Sequence, residues 1–362
     1  MPGRDFCGTN RRLRLLLALG LLCPTLGVSQ ADSQEHRALE WQVAKLAYDI
    51  PNDHLPRMTR TDLFMTRLSS EPGSEIYVVD SPGSRPRKLA TGSHSAWSPD
   101  GSRLAFCTDS DPAAKDDRWT AQIGVIKADG SESKVLTAVP GGACFPDWSP
   151  DGQHIAFTGF GGKQPQLYVM DSDGQNVAAV TPGYAPRWSP DGKVLLYLRP
   201  ATFPSRTIWM ASPDGKVTRK AIEADFTTQS PTWIAGHRGI AFSSRNSEGA
   251  QVIFRSRLDG NQPEQMTGDR WFAGNAKPLF GGFWFEPNVA PDGVHFVAVA
   301  CIAQVTAMTA NQQVRVLWTD AENCSLQKEF GSQTVIMLTN SEDHKQSELA
   351  RGIHPSVLWV QK

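Results

Sequence analysis

Three signatures of chemistry are missing from this chain. It has no Gly-x-Ser-x-Gly elbow for an activated serine, no His-Glu-x-x-His for a catalytic zinc and no Gly-x-x-x-x-Gly-Lys loop for a nucleotide phosphate. No residue is therefore assigned a catalytic role. Cys-x-x-Cys spacing is also absent, and the histidines stand singly at 36, 54, 94, 154, 237, 295, 344 and 354, so neither a metal nor another cofactor is expected. An excess of one charge is lacking too. With 36 Lys+Arg against 37 Asp+Glu, nothing argues for a nucleic-acid partner. Long apolar runs are scarce: "LLLALGLLC" at 15–23 falls short of the roughly 20 residues that a spanning helix needs.

That short run has a different use. Arg11, Arg12 and Arg14 precede it, and the small residues Ser29 and Ala31 frame a cleavage point, so residues 1–31 read as a signal peptide. The mature chain would carry no membrane span and would be periplasmic or secreted. Cys23 follows Leu22, a larger residue than a lipid-attachment site accepts, so lipidation is not expected. Residues 32–60 form an N-terminal segment ahead of the main body, 61–362. Cys107, Cys144, Cys301 and Cys324 remain in a compartment that permits disulfides.

What the chain does have is repetition. "WSPDG" stands at 97–101, 148–152 and 188–192, and degraded copies place Trp233 and Val289 where the earlier Trp stands. Intervals of about 40 to 56 residues, each holding several short strand-like runs, are the signature of propeller blades. The fold class is therefore all-β: a six-bladed propeller of four-stranded antiparallel blades.

Within a repeat, the inner strand ends at the Trp and Ser-Pro-Asp-Gly fits a type I turn into the second strand. Pro99, Pro150 and Pro190 preset the second turn position, Asp100, Asp151 and Asp191 suit the third, and Gly101, Gly152 and Gly192 tolerate the exit conformation. Runs such as "EIYVVD" and "QLYVMD" form the third strand, and "ADG", "SDG" or "PDG" turns lead to a short fourth. Trp97, Trp148 and Trp188 are read as wedges between neighbouring blades.

The frame P-x-W-S-P-D-G-x-x-I-A-F … I-Y-V-M-D-x-D-G … L-T resembles the TolB-like (WD40-like, PD40 repeat) propeller family. The match is best at 144–181 and extends from about 61 to 300. The resemblance implies a six-bladed fold and an interaction role in the cell envelope. Residues 32–60 are too few for the α/β domain that precedes the propeller in TolB itself. The first repeat, 62–83, starts at its second strand, so the segment 332–340 is expected to supply the missing inner strand and close the ring. "SVLWVQK" at 356–362 and "RALEWQVAKLAYDI" at 37–50 are left over, as a capping segment or a partial seventh blade.

Two local patterns tempt a metal reading. Asp171, Asp173 and Gly174 begin like a calcium loop, but Gln175 and Asn176 follow instead of further ligands, so a hairpin turn is the better reading. His94 lies near the start of an inner strand and can face the central channel, as one satisfied or solvated histidine. Cys107 and Cys144 should lie on one face, which makes a bridge between them geometrically possible, whereas Cys301 and Cys324 should fall at opposite strand ends.

Loop length carries the functional signal. The turns after the first and third strands are short, while the other connections vary and share one face, where binding residues usually collect. The candidate ligand contacts are Arg118 and Trp119 in 109–119, Arg206 in 199–207, and Trp271, Phe283 and Trp284 in the aromatic insertion 268–287. That insertion has two readings, ligand contact or a plug in the channel. The expected function is binding of a protein or glycan ligand without catalysis; the alternative is a propeller lyase or glycosidase acting on envelope or extracellular polysaccharide.

Overall fold

The computed structural model describes residues 41–50, 74–80, 84–109, 120–200, 206–222, 229–234, 239–246, 251–258, 263–267, 283–290, 295–302, 333–340, 346–351 and 353–361. Every long element among them is a strand, and no helix there is long and apolar enough to cross a membrane.

The first strands are β1 (Trp41–Ile50), β2 (Glu75–Val79) and the long β3 (Arg87–Trp97), which serves two sheets. Its first half pairs with β2, from Val78↔Arg87 to Glu75↔Thr91. Its second half pairs with β4 (Arg103–Thr108), from Gly92↔Thr108 to Trp97↔Leu104, and β5 (Ile123–Lys127) and β6 (Lys134–Val135) follow. Gly92 marks the joint at φ +145°, where a Cβ would stand 2.2 Å from the Cys107 carbonyl oxygen, so only glycine fits there.

The third sheet holds β7 (Ala143–Trp148), β8 (His154–Gly159), β9 (Gln166–Asp171) and β10 (Ala178–Pro182). The fourth holds β11 (Tyr184–Trp188), β12 (Leu195–Pro200), β13 (Arg206–Ala211) and β14 (Thr218–Lys220). Next come β15 (Gln229–Ile234), β16 (Gly239–Arg245), β17 (Gln251–Arg257) and β18 (Glu264–Gln265), then β19 (Phe283–Val289), β20 (His295–Ile302), β21 (Gln333–Asn340) and β22 (Gln346–Arg351). Finally β23 (Ile353–Gln361) returns to pair antiparallel with β1. With β3 shared, the strands make six four-stranded antiparallel sheets, which agrees with six blades.

The ring therefore closes by pairing the two ends of the described chain, but not through the expected segment. Residues 332–340 lie almost wholly in β21, the third strand of blade six, paired with β20 from Ile302↔Gln333 to His295↔Asn340. The two leftover stretches are what build blade one, with β23 as its inner strand and β1 as its second. Its second strand, β1, thus lies within 32–60, ahead of the boundary expected at 61. The reason is covalent: β23 and β1 are not consecutive, so no Ser-Pro-Asp-Gly hairpin marks their junction.

Elsewhere the hairpin chemistry follows the residues. The Ser98 hydroxyl donates to Asp100 Oδ1 at 2.5 Å and accepts the Arg103 N–H at 3.0 Å, while Asp100 also accepts the Ser102 N–H and hydroxyl. Gly101 leaves the turn at φ +65°. Ser149–Asp151 and Ser189–Asp191 repeat the pattern, and a fourth copy, Ser212–Asp214, forms the turn between the third and fourth strands of blade four. These donors hold the carboxyls of Asp100, Asp151, Asp191 and Asp214 below the usual carboxylate range, Asp100 down to about 2, with the serine hydroxyl as the largest cause in each.

Each repeated Trp sits between its own blade and the one before. Trp97 packs with Ala47, Ile76 and Val78 of blade one and with Leu104, Phe106 and Ile126 of blade two. Trp148 joins Ala96, Ala105, Ile123 and Val125 of blade two to Ile155, Phe157 and Met170 of blade three. Trp188 meets Ala156 and Val169 of blade three. From the preceding blade's second strand, the Lys45 ammonium lies 5.2 Å from the Trp97 ring centroid and the Arg103 guanidinium 4.6 Å from that of Trp148, while the His154 ring stands 6.4 Å from Trp188. The indole N–H groups of Trp97, Trp148 and Trp188 are buried without an acceptor, so these wedges work by packing.

Trp97→Ala, Trp148→Ala and Trp188→Ala should each destabilise by about 3–5 kcal/mol in denaturant melts, and Trp→Phe by less, because no indole hydrogen bond is lost. A loss under about 1 kcal/mol for any Ala variant would show that the wedge is not a stabilising joint. Deleting residues 353–362 should abolish the single cooperative unfolding transition, since β1 loses its inner partner; a truncated chain that still unfolds in one sharp transition would place closure elsewhere. For the turns, the folded carboxyls titrate below their unfolded values. Their stabilisation is therefore present above the ordinary carboxylate range and is lost as pH falls through it toward about 2, the value for Asp100. Asp100→Asn should thus lower the melting temperature at pH 7 more than at pH 3, and an equal effect at both would show that the turn does not use the charge.

Candidate binding face and channel mouth

Antiparallel order places the turns after each first and third strand at one end of the blades and all other connections at the other end. On the turn face every covalent connection spans 4 to 7 residues, as in 98–102 and 172–177. On the opposite face they run from the single residue 183 to 51–74 and 303–332. This asymmetry is the one that the repeats predict.

The inner strands begin on the variable face, and each begins with a bulge. The register slips between Ser93 and Ala96, Cys144 and Asp147, Tyr184 and Arg187, Gln229 and Thr232, and Phe285 and Asn288, and β23 slips against β1 between Ile353 and Ser356. The extra residue adopts a left-handed conformation without being glycine: His94 at φ 50°, Phe145 at 55°, Ala185 at 53° and Ser230 at 49°. Neighbouring blades hold this strained backbone in place. The Phe145 N–H donates to Cys107 Sγ at 3.3 Å and the Ala185 N–H to Thr158 Oγ1 at 3.0 Å, each acceptor lying in the preceding blade's second strand.

Three residues further on, the same handover recurs. Ser356 Oγ accepts the Trp97 N–H at 3.1 Å, and Asp147 Oδ2 accepts the Trp188 N–H at 2.7 Å. Burial pushes the Asp147 carboxyl up, while the Arg187 guanidinium at 3.3 Å and the Trp188 N–H pull it down. The Trp233 indole donates to the Arg187 carbonyl at 3.0 Å and the Trp359 indole to Asn288 Oδ1 at 3.1 Å.

A disulfide joins Cys107, at the end of β4, to Cys144, at the start of β7, with their Cα atoms 5.0 Å apart. Both residues are fully buried, and the bridge ties blade two to blade three on the variable face, where the strand order places them together. His94 is partly exposed beside it, its ring 4.5 Å edge-on from Phe145 and its Nδ1 2.9 Å from Ser93 Oγ. Asp171, Asp173 and Gly174 form a hairpin turn, in which Asp171 accepts from the Asn176 amide and Asp173 from the Gln175 N–H.

Of the candidate contacts, Arg118, Trp119 and Trp271 lie outside the described residues, as does Cys324. Arg206 opens β13 opposite Pro200. Phe283 and Trp284 belong to a strand rather than to a loop: they open β19 opposite Cys301 and Ala300. "FWFEPNV" pairs along its length with β20, so the aromatic insertion ends five residues earlier than its composition predicts. Apart from His94, sequence reading singles out none of the bulge residues. A signal was present, since Pro146, Pro186, Pro231, Pro287 and Pro355 each stand two residues before the repeat's Trp or Val, where a bulge tolerates a residue without an N–H.

A family model described as the TolB beta propeller domain (PD40) matches residues 111–347. The chain belongs to this family. Among curated relatives, it is 42% identical to the uncharacterized peptidase YuxL of Bacillus subtilis over 62 residues, 17% of this chain and 8% of that protein. It is 28% identical to an uncharacterized protein of Agrobacterium fabrum over 190 residues, 50% of this chain and 59% of that one. The chain thus spans less than two thirds of either relative. TolB from Acinetobacter baumannii aligns with a TM-score of 0.57 at 16% identity, covering 87% of this chain and 66% of that one. Hydrazine synthase from Kuenenia stuttgartiensis aligns at 0.61 and 14% identity, covering 88% and 47%. At such identities the likeness to both structures establishes the TolB-like propeller fold and no activity.

Proposed function

We propose that this TolB-like propeller is an exported, non-enzymatic module that binds a protein partner of the cell envelope on its variable face. The observation that carries this reading is the contrast between the two faces: short, hydrogen-bonded turns at one end and connections of very unequal length at the other. Loops on a rigid scaffold are where recognition residues collect. Arg118, Trp119 and Trp271 lie within such connections, and Arg206, Phe283 and Trp284 open the strands that leave them. Export is supported by the basic and apolar leader at 1–31 and by the Cys107–Cys144 bridge, since disulfides persist in oxidising compartments. Protein binding is also what the resemblance to TolB implies.

A second reading, a lyase or glycosidase acting on envelope polysaccharide, draws support from His94, which is partly exposed at the start of an inner strand. Among the described side chains of the inner strands, Asp147 is a carboxylate, but it is committed to Arg187 and the Trp188 N–H rather than set opposite a second carboxylate.

Affinity capture from an envelope extract, followed by binding of the captured protein to variants, tests the proposal. Trp119→Ser and Trp271→Ser should cut binding about tenfold or more, as aromatic anchors do, with the melting temperature nearly unchanged. A lowered melting temperature with unaltered binding would make these residues structural and overturn the loop assignment. Competition by a soluble envelope glycan would move the ligand from protein to glycan. Turnover of that glycan, lost in His94→Ala, would establish the enzymatic reading instead.

A further inference from the structure

We infer that reduction of the bridge between blades two and three creates a zinc site formed by Cys107, Cys144 and His94. Each residue offers one ligand atom, and the three atoms lie within 4.8 Å of one another. They converge from three strands of two blades: His94 on the bulge of β3, Cys107 at the end of β4 and Cys144 at the start of β7. Two thiolates and an imidazole are a ligand set that zinc takes up, with a fourth position left for water.

Contacts around the three residues suit a metal-bound form. The Phe145 N–H, turned by its left-handed backbone, donates to Cys107 Sγ at 3.3 Å and so stabilises a thiolate there. The Ser93 hydroxyl, 2.9 Å from His94 Nδ1, and the Phe145 ring, 4.5 Å away, orient the imidazole as outer partners orient metal ligands. The two sulfurs sit in an apolar cluster with Phe160 and Tyr184, which opposes thiolate formation until a cation binds, whereas His94 is partly exposed and gives that cation a route of entry.

A small dithiol passes two electrons and two protons to the Cys107–Cys144 bond and becomes its own cyclic disulfide, leaving two protein thiols. Zinc then displaces both thiol protons, forming two zinc–sulfur bonds and one bond to the His94 imidazole. A coordinate link replaces the covalent one, so the two blades stay joined in either redox state.

Cobalt(II) reports such a site through its thiolate charge-transfer absorption. The full chain, reduced anaerobically with a phosphine, should bind one equivalent with that absorption, and zinc should bleach it; the oxidised chain should show none. Cys144→Ser should abolish the band, and His94→Ala should weaken binding about tenfold or more. Absence of the band in the reduced chain, its persistence in Cys144→Ser, or unchanged affinity in His94→Ala would each overturn the inference. Alkylation gives a readout that needs no variant: zinc should slow modification of Cys107 and Cys144 about tenfold, and equal rates with and without zinc would refute the site. If reduction itself disturbs tryptophan fluorescence, zinc should restore it, and failure to do so counts against the site.

Discussion

The large aromatic wedge that ends the inner strands at Trp97, Trp148 and Trp188 is the contact on which the other features depend. Burying an indole removes roughly 150–250 Å² from water, worth several kcal/mol at each joint even after the cost of leaving an indole N–H without an acceptor. The wedge works only if the ring emerges where the preceding blade's second strand begins. The turn after Trp97 secures that position, because Ser98 and Asp100 tie the strand end to the start of β4. The residue at that start then reaches over the next ring, as Arg103 does over Trp148. Turn, wedge and overlying cation thus form one joint, and its repetition is what the sequence displays as Trp-Ser-Pro-Asp-Gly.

The same logic explains which parts of the fold could be read in advance. A covalent hairpin leaves a short, residue-specific record, so the inner ends of blades two, three and four are legible from their Ser-Pro-Asp-Gly turns. Blade one leaves no such record, because β23 and β1 meet through pairing between the two ends of the described chain. What does survive there is "HPSV" at 354–357, which matches "FPDW" at 145–148 in register and in its proline, with Val357 in the place of Trp148. At the fourth Ser-Pro-Asp-Gly, 212–215, the tetrapeptide encodes a turn, and the strands around it decide which turn it is.

The candidate site was legible in outline and not in detail. Connection lengths distinguish the two faces from sequence alone, and strand direction puts Cys107 and Cys144 on one face, where a bridge is possible. The bulges do not follow in the same way, since His94, Phe145, Ala185 and Ser230 share no side-chain chemistry. Each is in the left-handed region because of the backbone around it. Such a conformation costs of order 1–3 kcal/mol at a non-glycine residue and persists where neighbours over-determine it. Phe145 and Ala185 show how: the N–H that the bulge turns outward is accepted by the blade before.

These constraints also explain where the disulfide matters. Cys107 stands one residue before the end of β4, from which the connection holding Arg118 and Trp119 departs, and Cys144 is the second residue of β7, at the end of the connection from β6. The bridge therefore clamps the roots of two neighbouring connections on the variable face. Fixing the roots of loops lowers the ordering cost of any recognition that they carry out. The turn face, where serine and aspartate already satisfy the backbone within each hairpin, has no such need, and no described disulfide is found there.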